Sequence, residues 1–435
     1  MTRNISSVLI FFLLLWAFAS CRKTDDVPLA QVELISPDEN TLLRLPDTVK
    51  ISFKITGEQV PDYVVLSIVN RNYIPLFGNK YIHTPEMGVE LTETMVLHAL
   101  QDAGEVPYYI LISASIHGES QNNYFPVQLT NKPLEYQGFY LFVKTSVNQM
   151  NITFYNRELE PVSFTQISGN YIASSISNYY EKLYFTTDIP AKLRTFSLTE
   201  QQQLWETEPL FPYPFYTDVQ ADADWIYAAM GNGQITAYSG LTGQPKLVTE
   251  RLADSIPEQM AVLDEFVIGF YRSKINGHRS LVSFYKVSGV KKCLYPVDFE
   301  LVTFLADKDP SKAVVVGNHE NEGLITVFDP YKNSFEGTIQ PGVGSIVAAC
   351  EAWEGSYLFA AAGKLYAYQI DQHQEKLIKV LEDIPVDVLY ENVSGTVFVF
   401  YPHSLQLYAY PLMTEIAEIA LESEIKGMEF FYRYE

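Results

Sequence analysis

From Gln31 onward the chain is dominated by short runs in which apolar and polar residues alternate, set off from one another by turn formers. Between residues 31 and 131 they read QVELISP, VKISFKITG (49–57), YVVLSIVN (63–70), VPYYILISASIHG (106–118) and YFPVQLT (124–130). Alternation with period two puts one side of a strand against a core and the other in water. Several such strands with turn signals between them predict a β-sandwich over residues 31–134.

The pattern changes near residue 135, where a repeat begins. An aliphatic residue, any residue, a small or β-branched residue and an aromatic recur with starts at Ile152, Leu193, Ile235, Leu281, Ile325, Leu365 and Leu407, which are 41, 42, 46, 44, 40 and 42 residues apart. At the first copy Phe154 replaces the small residue. Just upstream of each copy lies a second apolar strand, such as GFYLFV (138–143), KLYFTT, DWIYAAM, EFVIGFY or TVFVFY. These runs are apolar on both faces, as strands buried on both sides must be. A period of this length matches four short antiparallel strands per repeat, the size of a propeller blade. Later repeats open with one more strand, such as YIASSIS (171–177) or VDVLYE (386–391), which the first repeat lacks, while EIKGMEFFYRYE (424–435) is left over at the end. The expectation is therefore an all-β fold: an N-terminal β-sandwich followed by a seven-bladed β-propeller (135–435) closed by the C-terminal strand, six or eight blades being the other counts.

Two resemblances accompany this reading. The stretches ELISPDENTLLRLPDTVKISFKI and VPYYILISASIHG resemble immunoglobulin-like or fibronectin-like modules of bacterial surface proteins, without the cysteine pair and core tryptophan of true immunoglobulin domains. Such modules usually act as spacers. The stretches GQITAYSGLTG (233–243), GLITVFDPYKNS (323–334) and GKLYAYQIDQHQEK (363–376) are similar to the repeat of quinoprotein-like and YVTN-type β-propellers. That likeness implies a fold rather than an activity. Quinoprotein dehydrogenases hold their cofactor beside an adjacent cysteine pair, and this chain has no Cys-Cys.

The N-terminus supplies an address. Arg3, the apolar run VLIFFLLLWAF (8–18) and the small residues Ala19 and Ser20 are laid out as a signal peptide (1–20). Phe18, Ala19, Ser20 and Cys21 resemble the lipobox of bacterial lipoproteins, which implies lipidation of Cys21 and an outer-membrane anchor. Residues 21–30 would be a tether, and the charged stretch from Arg22 to Asp26 looks like the tags of lipoproteins exported to the surface. The protein would then face the cell surface or the periplasm. Without Arg3, 29 of the 30 Lys plus Arg remain against 52 Asp plus Glu, or −23. This balance argues against nucleic acid and against adhesion to anionic lipid beyond the anchor. Cys293 and Cys350 are the two cysteines left to form a disulfide in the mature chain.

No chemistry declares itself. The seven histidines show neither HExxH nor a zinc-ligand spacing, and no Gly-rich phosphate loop or GxSxG elbow is present. Asp218, Asp222 and Asp224 read as turn formers before they read as calcium ligands. No catalytic residue, metal or cofactor is expected. Three longer loops remain as a candidate binding rim. YRSKINGHRS (271–280) brings Arg272, Lys274, His278 and Arg279 together, GNHENEG (317–323) carries His319 and Glu320, and LFPYPFYT (210–217) would expose Tyr213 and Phe215. The expected function is a non-enzymatic envelope lipoprotein whose propeller binds a glycan, a peptide or an envelope protein. The alternatives are an outer-membrane assembly lipoprotein, or a polysaccharide lyase or hydrolase.

Overall fold

The computed structural model describes residues 30–83, 85–100, 107–209, 215–222, 225–353 and 355–435. Cys21 and the signal segment lie outside the described residues. The chain divides into two compact units, Met1–Lys132 and Pro133–Glu435. Apart from one 3-10 turn at Ile370–Gln372, every described element is a strand.

The first unit holds β1 (Gln31–Ser36), β2 (Leu42–Leu45), β3 (Asp47–Thr56), β4 (Tyr63–Val69), β5 (Lys80–His83), β6 (Glu90–Leu97), β7 (Tyr108–Ile116) and β8 (Glu119–Asn131). They form a sheet β1-β3-β6 and a sheet β2-β8-β7-β4-β5, in which β2 runs parallel to β8. The alternation seen in the sequence explains their packing. Ile51 and Phe53 of β3, Val64 and Leu66 of β4, and Ile110 and Ile112 of β7 share one core, while the residues between the latter two pairs turn away from it.

Among the described residues, the second unit contains seven four-stranded antiparallel sheets. The first is built from β9 (Leu134–Ser146), β10 (Gln149–Asn156) and β11 (Pro161–Ser168), with the C-terminal strand Glu424–Tyr434 as its fourth member. The others follow in sequence over residues 171–207, 216–248, 255–297, 300–339, 346–380 and 387–420. Burial within each sheet follows composition. Second strands such as KLYFTT, WIYAAM, SYLFAA and TVFVF are buried nearly throughout. Fourth strands such as QLWET and TEIAEIA are largely exposed. Two-sided burial follows from the way the sheets pack face to face. Phe142 and Phe185 join the first two sheets, Tyr184 and Ile226 the next two, and Tyr227 and Val267 the third to the fourth. Ile268 packs with Val315, Val316 with Phe359, and Leu358 with Val399. Finally Phe398 of the seventh sheet meets Phe139 of the first, their rings 5.5 Å apart and nearly perpendicular.

The C-terminal strand pairs antiparallel with β9 from Glu424 opposite Lys144 to Tyr434 opposite Leu134. It buries Ile425, Met428 and Phe431. Cys293 and Cys350 are free thiols, so they form no disulfide with each other. Among the described residues no helix is long and apolar enough to cross a membrane.

Candidate functional site

The first strand of each sheet from the second to the seventh, together with the C-terminal strand, lines one cavity of about 810 Å³. These strands carry small and polar residues where the middle strands carry rings. A recurring backbone device aims them inward. In the second to sixth sheets the pairing register shifts near the start of the first strand, skipping Ile172, Thr217, Glu258, Val302 and Val347, and the C-terminal strand shifts likewise at Lys426. A bulge adds local twist and redirects the side chains that follow it.

Side chains stitch neighbouring first strands together across this wall. Asp218 accepts the Met260 N–H at 2.8 Å, Gln220 accepts the Val262 N–H at 3.1 Å and donates to the Met260 carbonyl at 2.6 Å, and Ser175 accepts the Ala221 N–H at 2.9 Å. Gln259 donates to the Val302 carbonyl at 3.1 Å. Ser174 donates to Glu429 Oε1 at 2.7 Å, and its oxygen lies 2.8 Å from the Tyr171 hydroxyl. Gly427 makes room for that tyrosine, since a Cβ there would lie 2.3 Å from the Tyr171 hydroxyl oxygen.

Three carboxyl groups converge on the cavity. Burial pushes Asp218 up to about 7, against the two backbone N–H bonds from Met260 and Val219 that favour its charged form. Burial also raises Glu429 to about 7, the bond from Ser174 opposing it and repulsion from Asp218 and Asp387 adding to it. Asp387 rises to about 6 for the first of these reasons. The residue is open to the cavity, and its carboxylate accepts the Val388 N–H at 2.8 Å. The surrounding walls, rather than direct contact, keep bulk solvent from stabilising its charge. Glu258 and Glu351 also line the cavity, Glu258 in an ion pair with Arg272.

The rim residues read from sequence fall into place unevenly. The expectation of an exposed aromatic fails at Phe215, which is 8% exposed and packs into the core between the second and third sheets, edge-on to Tyr216. A ring next to a first strand is drawn into the gap between sheets, because burying it there removes more apolar surface from water than rim exposure allows. Tyr213 lies outside the described residues. The 271–280 stretch is a hairpin rather than the long loop expected: the strands Phe266–Ser273 and Arg279–Tyr285 pair Arg272 opposite Arg279, and residues 274–278 form the turn, where Lys274 donates its ammonium to the Gly231 carbonyl at 2.8 Å and Gly231 N–H bonds the Phe215 carbonyl at 2.6 Å. Its basic charge is partly cancelled, however, because Arg272 pairs with Glu258 and Arg279 with Glu300 at 2.9 Å. His278 is exposed at the loop tip. The 317–323 stretch is likewise two paired strands, Ala313–His319 and Glu322–Asp329, joined by a two-residue turn rather than a long loop, and Glu320 is exposed in that turn with φ 48°. His319 places Nδ1 3.1 Å from the Asp298 carbonyl and lines a separate cleft of about 560 Å³ with Tyr295 and Phe335.

Asp222 pairs with Lys286 and Asp218 is held by backbone N–H groups, while Asp224 lies outside the described residues. Among the described residues no group of three or more His, Cys, Asp and Glu is placed to hold a metal ion. Sequence reading missed Asp387 and Glu429. The available signal was an acidic residue inside an otherwise small or apolar strand, at VDVLYE and GMEFFY.

No protein-family model matches this chain, and no curated protein matches it. Among solved structures, Hydrazine Synthase of Kuenenia stuttgartiensis is similar at 10% sequence identity and a TM-score of 0.48, over 67% of this chain and 97% of that one.

Proposed function

We propose that this chain is a non-enzymatic lipoprotein of the cell envelope, anchored in the outer membrane through Cys21, with an immunoglobulin-like first unit and a seven-bladed propeller closed by its C-terminal strand. The propeller serves as a binding scaffold for a glycan, a peptide or an envelope protein. Seven inter-sheet cores, the last joining the seventh sheet to the first, support the propeller reading.

The observation that carries the binding reading is the cavity framed by one strand from each of the seven sheets. At about 810 Å³ it falls within the range of ligand sites, roughly 300–1,000 Å³. Its walls present carboxylate, hydroxyl and amide oxygens, so it favours a segment rich in hydrogen-bond donors, such as sugar hydroxyls or a peptide amine, over an anion. Asp218 is occupied by backbone N–H groups and stiffens the wall, whereas Asp387 and the remaining oxygen of Glu429 are the acceptors a ligand would meet. One observation favours a second reading. A carboxyl raised to about 7, as at Glu429, stays substantially protonated near neutrality, which is what a general acid in a glycan hydrolase or lyase requires.

Calorimetric titration with oligosaccharides and short lysine-containing peptides tests the binding reading. Affinity for one of these classes is expected, and the double variant Asp387→Asn, Glu429→Gln should weaken it. Affinity indifferent to that change would move the ligand out of the channel and towards Lys274 and Arg279. Shortened oligosaccharide products that disappear with Glu429→Gln would establish the enzyme. For the anchor, Cys21→Ala should abolish palmitate labelling and membrane retention; unchanged labelling removes the lipoprotein proposal.

A further inference from the structure

We propose that the first unit carries its own saccharide site, a platform of three tyrosine rings on the outer face of the β2-β8-β7-β4-β5 sheet that takes a neutral glycan. The two faces of this sheet differ in character. Tyr108, Ile110 and Ile112 of β7 point into the core, so Tyr109 and Leu111 point away from it. Cross-strand pairing sets Leu111 against Tyr124 and Tyr109 against both Pro126 and Val69. Tyr109 and Tyr124 consequently stand 6.1 Å apart, edge to face. Tyr73 completes the group from the turn after β4, its ring 4.8 Å from Tyr124 and 6.4 Å from Tyr109.

The turn that delivers Tyr73 is held tightly and in an unfavourable shape. Asn70 Oδ1 accepts the N–H groups of Asn72 and Ile74 at 2.9 and 3.1 Å, and the Asn70 carbonyl accepts the Tyr73 N–H at 2.9 Å. Tyr73 itself sits at φ 63°, a left-handed conformation that glycine or asparagine adopts far more readily than a bulky ring. The ring is nonetheless 57% exposed, as is Ile74 beside it. A strained backbone that presents an aromatic to water gains nothing for the core. Other turns of the chain adopt the same left-handed shape, at Leu159, Gln201 and Met413, so what sets Tyr73 apart is its exposed ring lying beside that of Tyr124.

The composition of the face selects the ligand. From Tyr63 to Val69 on β4, Tyr109 to Ser113 on β7 and Asn122 to Pro126 on β8 no residue is charged, in a chain of net charge −22. These central segments offer no counterion to a charged ligand; the sheet's exposed basic side chains sit at the turn, Arg71, and on the edge strands, Arg44 and Lys80. A neutral sugar ring has an apolar C–H face that stacks on tyrosine and a hydroxyl edge that bonds to amide and hydroxyl groups, and Ser113 and Asn122 provide these beside the rings. Tyrosine supplies rigid contact area at low entropic cost. Tyr63 and Tyr81 are exposed at the far end of β4, but Ser67 and Val69 between them and the platform are buried, so the site takes a short segment of sugar at the three rings.

Affinity electrophoresis of the full protein through gels containing starch, mixed-linkage β-glucan, xylan or mannan tests this site. Retardation by at least one polymer is expected, reduced by roughly tenfold or more in apparent affinity by Tyr73→Ala with Tyr124→Ala. Retardation that survives Tyr73→Ala with Tyr124→Ala but is lost in Asp387→Asn, Glu429→Gln would place the glycan in the cavity of the second unit and overturn this platform, which separates its failure from failure of the cavity reading. Tyr73→Gly serves as the control for folding. It relieves the left-handed strain, so its melting temperature should hold or rise while retardation falls. Absence of retardation in all four gels would overturn the proposal. So would retardation unaffected by the tyrosine changes, or sedimentation showing that the face instead pairs two copies of the chain and that Tyr73→Gly separates them.

Discussion

Replacing Glu429 by glutamine should change how stability depends on pH, and the sign follows from the cavity. Glu429 titrates near 4.5 when exposed and is raised to about 7 in the folded protein, mainly by burial. Between these values the folded state holds a proton that the unfolded chain has released, so this group's contribution is fully present below about pH 4.5 and is lost as pH rises through 7. A shift from 4.5 to about 7 corresponds to about 3 kcal/mol at 1.36 kcal/mol per unit, an upper bound. The true figure is smaller, since Asp218 and Asp387 share the repulsion and their protons come off together with that of Glu429. Glutamine cannot ionise and keeps an oxygen for the Ser174 hydroxyl. The variant should therefore exceed wild type by ~1–3 kcal/mol at about pH 8, with the gap shrinking by about 2 kcal/mol at about pH 5. Urea unfolding of both proteins at the two pH values measures the gap, and exposed groups cancel in the difference. A gap independent of pH would mean that Glu429 ionises like a surface carboxylate and that the cavity does not desolvate it.

Gly427→Ala should push the Tyr171 ring aside, break its contact with Ser174 and cost about 1–3 kcal/mol; thermal unfolding measures the loss, and unchanged stability would mean that the ring is free to move. Phe139→Ala removes a fully buried ring that stacks on Tyr155 at 5.1 Å and meets Phe398, so a loss of about 3–5 kcal/mol is expected by urea unfolding. A loss under 1 kcal/mol would argue that the contact between seventh and first sheets is dispensable. Deleting residues 424–435 removes buried Ile425, Met428 and Phe431, each worth about 1.5–3 kcal/mol, and bares the edge of β9. The truncated protein should melt at lower temperature and aggregate, as light scattering on heating would register; an unaltered melting curve would refute closure by that strand.

Strand positions were legible because alternation and two-sided apolarity are local properties of the chain: KLYFTT and TVFVFY read as buried strands in the sequence and are buried strands in the structure. The partner of β9 was legible by counting, since EIKGMEFFYRYE had no repeat of its own to join and pairs with that strand. Side-chain environment was another matter. Phe215 reads as an exposed ring beside prolines, and only the packing of the third sheet on the second shows that the gap between them takes it in. Arg272 and Arg279 read as a basic patch until folding sets Glu258 and Glu300 beside them. Asp218, Asp387 and Glu429 stand far apart in the chain, as do Tyr73, Tyr109 and Tyr124, and no local pattern links the members of either group. The sequence determined which segments become strands, because that depends on a residue and its near neighbours. The tertiary structure alone decided which carboxylates share a cavity and which rings share a face, because burial, repulsion and stacking depend on distances between sheets that no interval along the chain encodes.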